Sequence, residues 1–235
     1  MDIKTIVEFP RANPGTFLPR YFVSDMHMGD GSDADDFLLN ADLFREFVAS
    51  VGAENIVTVG DVMELWQCEE GCVENLYCEE LAGLAIGVNG NHDLKRGLEL
   101  PNTLQIGNIL IMHGHQGDKW NSKWKFFGRL ISKIARLLEL LGWKDADNVE
   151  AWLLTPPPSQ QFSDDVARRY RQMLLENFEI YPGVDTIIWG HTHIASLYEI
   201  EEGLLVGNCG TWASTHLPCT AIRATSESVA LLEIS

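Results

Sequence analysis

The sequence predicts an α/β fold whose sheet is mostly parallel in its first half. Three observations predict it. The length of 235 residues suits one large domain, or a domain with a small cap. Short apolar runs alternate with segments of helical spacing. Clusters of His, Asp and Asn follow those runs directly, so loops at one edge of a sheet would bring the clusters together.

Arg20 to Ser24 reads as a strand ending at Asp25-Met26-His27. From Asp36 to Ser50, Phe37, Leu38, Leu43, Phe44, Phe47 and Val48 fall on one side of a helix. Asn55 to Val59 is a strand that runs into Gly60-Asp61, and Glu74 to Ala82 is a short helix. Leu84 to Val88, broken by Gly87, predicts a strand leading to Gly90-Asn91-His92-Asp93. Leu104 to Ile106 and Asn108 to Met112 form a hairpin around Gly107, and its second strand delivers His113-Gly114-His115.

The composition then changes. Lys119 to Trp143 is helical, rich in Leu, Ile, Phe and Trp, and locally basic through Lys119, Lys123, Lys125, Arg129, Lys133 and Arg136. Pro156, Pro157 and Pro158 break it, and Ser163 caps a second helix with Asp164 and Asp165 in its first turn. Asp185 to Trp189 is a strand running into Gly190-His191-Thr192-His193. Ser196 to Ile200, Leu204 to Val206 and Ser228 to Ile234 are the remaining strands.

Taken singly, each cluster also reads as a turn or a solvated loop. Five of them in succession, each following a predicted strand, are not explained that way. Their residue types offer nitrogen and oxygen donors suited to borderline or hard divalent metals. The five cysteines include Cys68, Cys72 and Cys78 in an acidic stretch. Their spacing lacks a CxxC pair and a fourth ligand, so reduced thiols are expected there rather than a zinc site.

The order of motifs resembles the calcineurin-like metallophosphoesterase superfamily: Asp25-x-His27, Gly60-Asp61-Val62-Met63-Glu64, Gly90-Asn91-His92-Asp93, His113-Gly114-His115 and Gly190-His191-Thr192-His193. The resemblance implies a four-layer αββα sandwich of two mixed β-sheets, here as a single domain with a helical cap insertion at about 119–180. It implies two divalent ions, with manganese as the first candidate and iron, zinc or nickel as alternatives. Asp25, His27 and His193 would hold one ion and Asn91, His113 and His191 the other, with Asp61 bridging. A hydroxide on the metals would attack phosphorus in line, the ions lying roughly 3.5–4 Å apart. His92 would face the substrate as the catalytic group, and Asp93 would hold its ring. His115 is a candidate for a supporting role around the ligands; Asp30 and Asp118 are further candidates, with loop solvation the expected role for each, and His216 is expected at the surface.

Gly60-Asp61-Val62-Met63-Glu64-Leu65-Trp66, Leu110-Ile111-Met112-His113-Gly114 and the helical insertion are similar to one branch, the bacterial UDP-2,3-diacylglucosamine pyrophosphohydrolases. That branch typically carries Arg where this chain has His92, and its fourth motif tends to read HGD. The expected substrate is therefore a phosphorylated small molecule or a lipid-linked one. The basic segment from Lys119 to Arg136 carries Trp120, Trp124, Phe126 and Phe127 and reads as a packed cap with solvated lysines, or as a peripheral contact with an anionic membrane face.

A formal charge of −17 argues against bulk nucleic-acid binding, so a nuclease is the weaker enzyme alternative. A catalytically idle metal-binding scaffold is the alternative from another class. Met1 to Arg20 has no continuous apolar run, and a cytoplasmic location is expected.

Overall fold

The computed structural model describes residues 1–11, 19–33, 35–82, 84, 87–93, 100–115, 168–169, 172, 181–214 and 216–235. Ten strands among them form two five-stranded sheets. The first sheet is built from β1 (Ile3–Pro10), β2 (Arg20–Val23), β3 (Ile56–Thr58), β9 (Cys219–Ala224) and β10 (Ser228–Ile234), in the order β1-β10-β9-β2-β3. The second is built from β4 (Thr103–Ile106), β5 (Ile109–Met112), β6 (Thr186–Trp189), β7 (Ser196–Glu201) and β8 (Leu204–Asn208), in the order β4-β5-β6-β8-β7. Both sheets are mixed. In the first, only β2 and β3 run parallel, which corrects the mostly parallel sheet expected for this half. In the second, β5, β6 and β8 are parallel neighbours.

Period-two alternation sorts each strand between two faces. Ile109 and Ile111 of β5 point between the sheets, into a core that also holds Phe22, Val57, Ile188, Leu205, Ile222 and Leu231. Leu110 and Met112, one residue out of step, point to the opposite face with Ile187, Trp189 and Val206. The outer face of the first sheet is covered by α1 (Ala41–Val51), α2 (Glu70–Leu76) and α3 (Cys78–Leu81). Phe44 and Phe47 of α1 pack edge-on and tilted against Trp212, with ring centroids 5.0 and 5.6 Å apart. Three layers are thus described, a helical layer and two stacked sheets, with an apolar outer face on the second sheet.

The expected helix from Asp36 is split. A 3-10 turn over Asp36–Leu39 precedes α1, and Asn40 at the junction anchors to the Trp212 and Ser214 carbonyls through its side-chain amide. The helix expected at Glu74 to Ala82 is likewise two pieces, α2 and α3. No strand is formed at Leu84, Gly87 or Val88, although Val88 N–H donates to Thr58 O beside β3. Nearly all of the cap insertion at 119–180 lies outside the described residues. Cys68 is buried, Cys72 and Cys78 are exposed, and all three are free thiols.

Candidate metal centre

The site forms where β2, β3, β5 and β6 end. Parallel pairing within each sheet places those strand ends side by side: β2 with β3, and β5 with β6. Beyond the ladder the loops after β2 and β3 stay zipped together. Asp25 N–H donates to Gly60 O, His27 N–H to Asp61 O and Met28 N–H to Val62 O. The two sheets are tied at the same point, because His113, following β5, donates Nδ1–H to Val59 O at 2.8 Å.

Asp25, His27, Asp61, His191 and His193 all adopt left-handed backbone, with φ between 48° and 68°. Among the described residues no other non-glycine residue has positive φ. Each such residue costs on the order of 1 kcal/mol. Strain confined to five expected ligands marks backbone held for a site rather than for folding alone.

Three groups of donors converge, each with its atoms within 4.8 Å of one another: Asp25, His27 and His193; Asp61, His113 and His191; and His27, Glu64 and His92. The first brings together Asp25, His27 and His193, and the second brings His113 and His191 together with Asp61. Asp61 Oδ2 faces both groups, lying 3.0 Å from His113 Nε2 and 3.9 Å from His27 Nε2. Its other oxygen, Oδ1, accepts the His92 N–H at 2.8 Å. In the first group, His193 Nε2 is 3.2 Å and His27 Nε2 3.9 Å from Asp25 Oδ1.

Four buried atoms here have no hydrogen-bond partner: Asp25 Oδ1, His27 Nε2, Asn91 Oδ1 and His113 Nε2. A buried polar atom left unpaired costs about 1–3 kcal/mol, and all four belong to expected ligands. The opposite nitrogens are occupied, His113 Nδ1 by Val59 O and His27 Nδ1 by Glu64 Oε2 at 2.9 Å. That is how protein groups orient imidazole ligands toward a divalent cation. The donor set therefore fits divalent metal ions.

A calcineurin-like phosphoesterase family model matches residues 18–195, which span all five motifs. The chain belongs to the calcineurin-like phosphoesterase family. No curated protein matches the chain. Similar solved structures include a metallophosphoesterase from Sphaerobacter thermophilus, 14% identical over 93% of this chain and 89% of that one, at a TM-score of 0.47. A predicted phosphoesterase from Streptococcus pneumoniae is 17% identical over 88% of this chain and 83% of that one, at a TM-score of 0.40. Wild-type Vps29 from Entamoeba histolytica, solved with zinc, is 19% identical over 88% and 84%, at a TM-score of 0.41.

Membership in the family and the donor groups together assign this end of the sandwich as a divalent-metal site. Its charges are mutually stabilised. Burial alone would raise the Asp25 carboxyl, but the His193 and His113 rings outweigh it and hold it far below the usual range. Burial likewise opposes the Asp61 charge, and His113 and His92 hold that carboxyl well down. Against burial, His92 and His27 bring Glu64 to about 2. Against burial again, Asp61 and Asp25 lift His113 to about 9.

One expected contact is corrected. Asp93 does not supply the hold on the His92 ring; Glu64 Oε2 does, 2.6 Å from His92 Nδ1. Asp93 turns back on the loops instead: Oδ1 accepts the Val62 and Met63 N–H groups and Oδ2 the Gly90 N–H, each at 2.9 Å. The reason is reach. The short Asp93 side chain sits in the same turn as His92, whereas the longer Glu64 arrives from the β3 loop and spans two rings. Glu64 closes the second motif, and its place three residues after Asp61 is the sequence signal for this role.

His115 is buried beside the centre, its ring 5.5 Å from His113 and 6.5 Å from His191, outside the three donor groups. Asp30 is exposed and accepts the Ser32 N–H in a local turn. His216 is exposed, as expected. Asp118 lies outside the described residues. Sequence reasoning missed Asn208 and Thr211. Asn208 Nδ2 donates to Gly190 O and Thr192 Oγ1, and Thr211 Oγ1 donates to Asp25 O. A lone Asn and Thr at the end of an apolar strand were the only hint.

Proposed function

We propose that this chain is a dinuclear-metal phosphoesterase that hydrolyses a phosphoester or phosphoanhydride. The observation that carries the reading is Asp61 Oδ2, which faces His113 of one donor group and His27, a member of the other. A carboxylate oxygen aimed at two ligand sets is suited to two cations. Asp25, His27, His193 and Asp61 would hold one ion, and Asp61, Asn91, His113 and His191 the second. Bound divalent ions, with manganese as the first choice, supply charge neutralisation for a phosphoryl group and an activated water.

The chain's own residues supply the rest. Glu64 Oε2 occupies His92 Nδ1, which leaves Nε2 as the ring's remaining polar atom on a side chain 16% exposed. Burial opposes the His92 charge, but Glu64 and Asp61 outweigh it and raise the ring above its usual value. A ring so held has a raised affinity for a proton, which suits it to give one from Nε2 to the leaving oxygen. Glu64 also fixes His27, so one carboxylate orients both a ligand and the proton donor.

The substrate proposed is a nucleotide diphosphate or a UDP-diacylglucosamine-like lipid, with the basic segment at 119–136 meeting its lipid or an inner membrane face. Support for the branch is the sequence from Gly60 to Trp66. The test is turnover of p-nitrophenyl phosphate, bis-p-nitrophenyl phosphate, nucleotide diphosphates and UDP-2,3-diacylglucosamine by the manganese-loaded chain. Hydrolysis of any supports the phosphoesterase, and UDP-2,3-diacylglucosamine turnover alone identifies the branch. No turnover of any by metal-loaded protein would leave the idle scaffold instead.

A further inference from the structure

The proposed reaction gives Trp66, which packs within the site, no task. The Trp66 indole lies face to face with His92, ring centroids 4.0 Å apart and planes at 14°. Its Nε1–H donates to the Asn91 carbonyl at 2.7 Å, and its backbone N–H donates to Glu64 Oε1 at 3.2 Å. Trp66 is buried.

A buried indole N–H needs some acceptor, and packing alone would satisfy a large ring. The choice of acceptor goes further. The Asn91 carbonyl is one end of the Asn91–His92 peptide, and the other end, His92 N–H, donates to Asp61 Oδ1. That one planar unit joins an expected metal ligand to the expected proton donor. Asp61 grips it at nitrogen and Trp66 at oxygen, so it cannot rotate without breaking one hold. The ring is constrained twice as well. Glu64 fixes it at Nδ1, but a ring held by one hydrogen bond can still tilt about that bond. The indole face opposes the tilt, and the His27 ring meets the His92 ring nearly perpendicular, centroids 4.5 Å apart.

We propose that Trp66 is a positioning residue: its indole clamps the His92 ring and the Asn91–His92 peptide, fixing His92 Nε2 relative to the metal ligands. The proposal rests on the phosphoesterase reading for its effect on rate, though the clamp itself can be observed without turnover.

Two substitutions in the full chain separate the contacts. Trp66→Phe keeps a ring face and loses the N–H; Trp66→Leu loses both. With bis-p-nitrophenyl phosphate and Mn²⁺, kcat falls about tenfold in the Phe variant and about a hundredfold in the Leu variant, with KM and bound metal unchanged. In a His92→Ala background the same substitutions change kcat by less than about twofold, because the group they position is gone. Equal losses in both backgrounds, or no loss in either, would overturn the proposal.

The second arm uses the metal-free chain and the ring C–H signals of its seven histidines in NMR. A stacked indole shifts the His92 ring protons upfield. Trp66→Leu returns them toward ordinary positions and Trp66→Phe only part of the way. His92 signals that stay put in Trp66→Leu refute the clamp. A parent chain without turnover sinks the reaction reading, while the ring signals still decide the clamp.

Discussion

His92 and Asp61 are joined by a hydrogen bond yet have separable tasks. His92 offers its backbone N–H to Asp61 Oδ1 and its Nδ1 to Glu64, and neither contact places Nε2 among the ligand groups that hold Asp25 or His113. His92→Ala is therefore expected to keep its metals and to lose about 10²–10⁴ in kcat, the usual worth of a positioned proton donor. Metal analysis of the purified variant beside its turnover checks this, and a variant short of metal would show His92 to be a ligand. Asp61→Asn should behave the opposite way. Asn carries no charge to set against His113 and His27, and an amide nitrogen facing the two rings has no lone pair to share. Loss of at least one ion is expected, and full occupancy of two would count against a bridging Asp61.

At the scale of elements, the site depends on two loops approaching without side chains between them. A Cβ on Gly90 would collide with Asp61 Oδ1, and one on Gly190 with Asp25 Oδ2. Neither obstacle can yield cheaply, since each carboxylate is itself held by a backbone N–H, from His92 and His191 respectively. Gly90→Ala and Gly190→Ala are expected to weaken metal binding at least tenfold, measured by titration calorimetry with Mn²⁺, while the sheets stay folded. Unchanged affinity in both would mean that the loops accommodate the methyl.

The motif glycines and the donors beside them were readable because their chemistry is local. Strands were readable where burial repeats regularly, as in β5 and β6. β1 was missed because a register shift between Thr5 and Val7 breaks its alternation, and the strand lies at a sheet edge with most of its residues exposed. β9 was missed because Cys219, Thr220 and Ala221 make no apolar run. Only its neighbours β10 and β2 reveal it as a central strand. The tie from Glu64 to His92 was equally invisible, since it depends on how far the loop after β3 leans across the end of the sandwich.

Across the whole molecule, protons and metal ions compete for the same positions, which sets how stability responds to pH. In the metal-free chain His113 holds its proton to about 9, since Asp61 and Asp25 overcome the cost of burying it. The His27 ring is raised as well: burial opposes its charge, but the neighbouring Asp25, Glu64 and Asp61 carboxylates outweigh that. For His113 the stabilising effect is fully present below the ordinary His value near 6.5 and is lost as pH climbs through about 9, and His27 acts in the same sense. Glu64 works in the other sense. Its contribution is present above the ordinary carboxylate value of 4.5 and is lost as pH falls through about 2.

A divalent ion must displace the His protons to bind, so its affinity rises with pH over the window in which the metal-free chain weakens. Metal added at about a hundredfold over Kd contributes about 2.7 kcal/mol to folding. At fixed Mn²⁺, that gain should therefore grow from pH 6.5 to 8.5. Thermal melts with and without Mn²⁺ at those two pH values, in dilute chain purified free of metal, should show the larger shift at the higher one. Proton release on binding, measured in buffers of different ionisation enthalpy, should decline as pH rises through about 9, where His113 loses its proton without metal. A melting shift that is larger at pH 6.5 would mean that the rings at the end of the sandwich do not surrender protons to the ion, and the ligand assignment of His113 would fail with it.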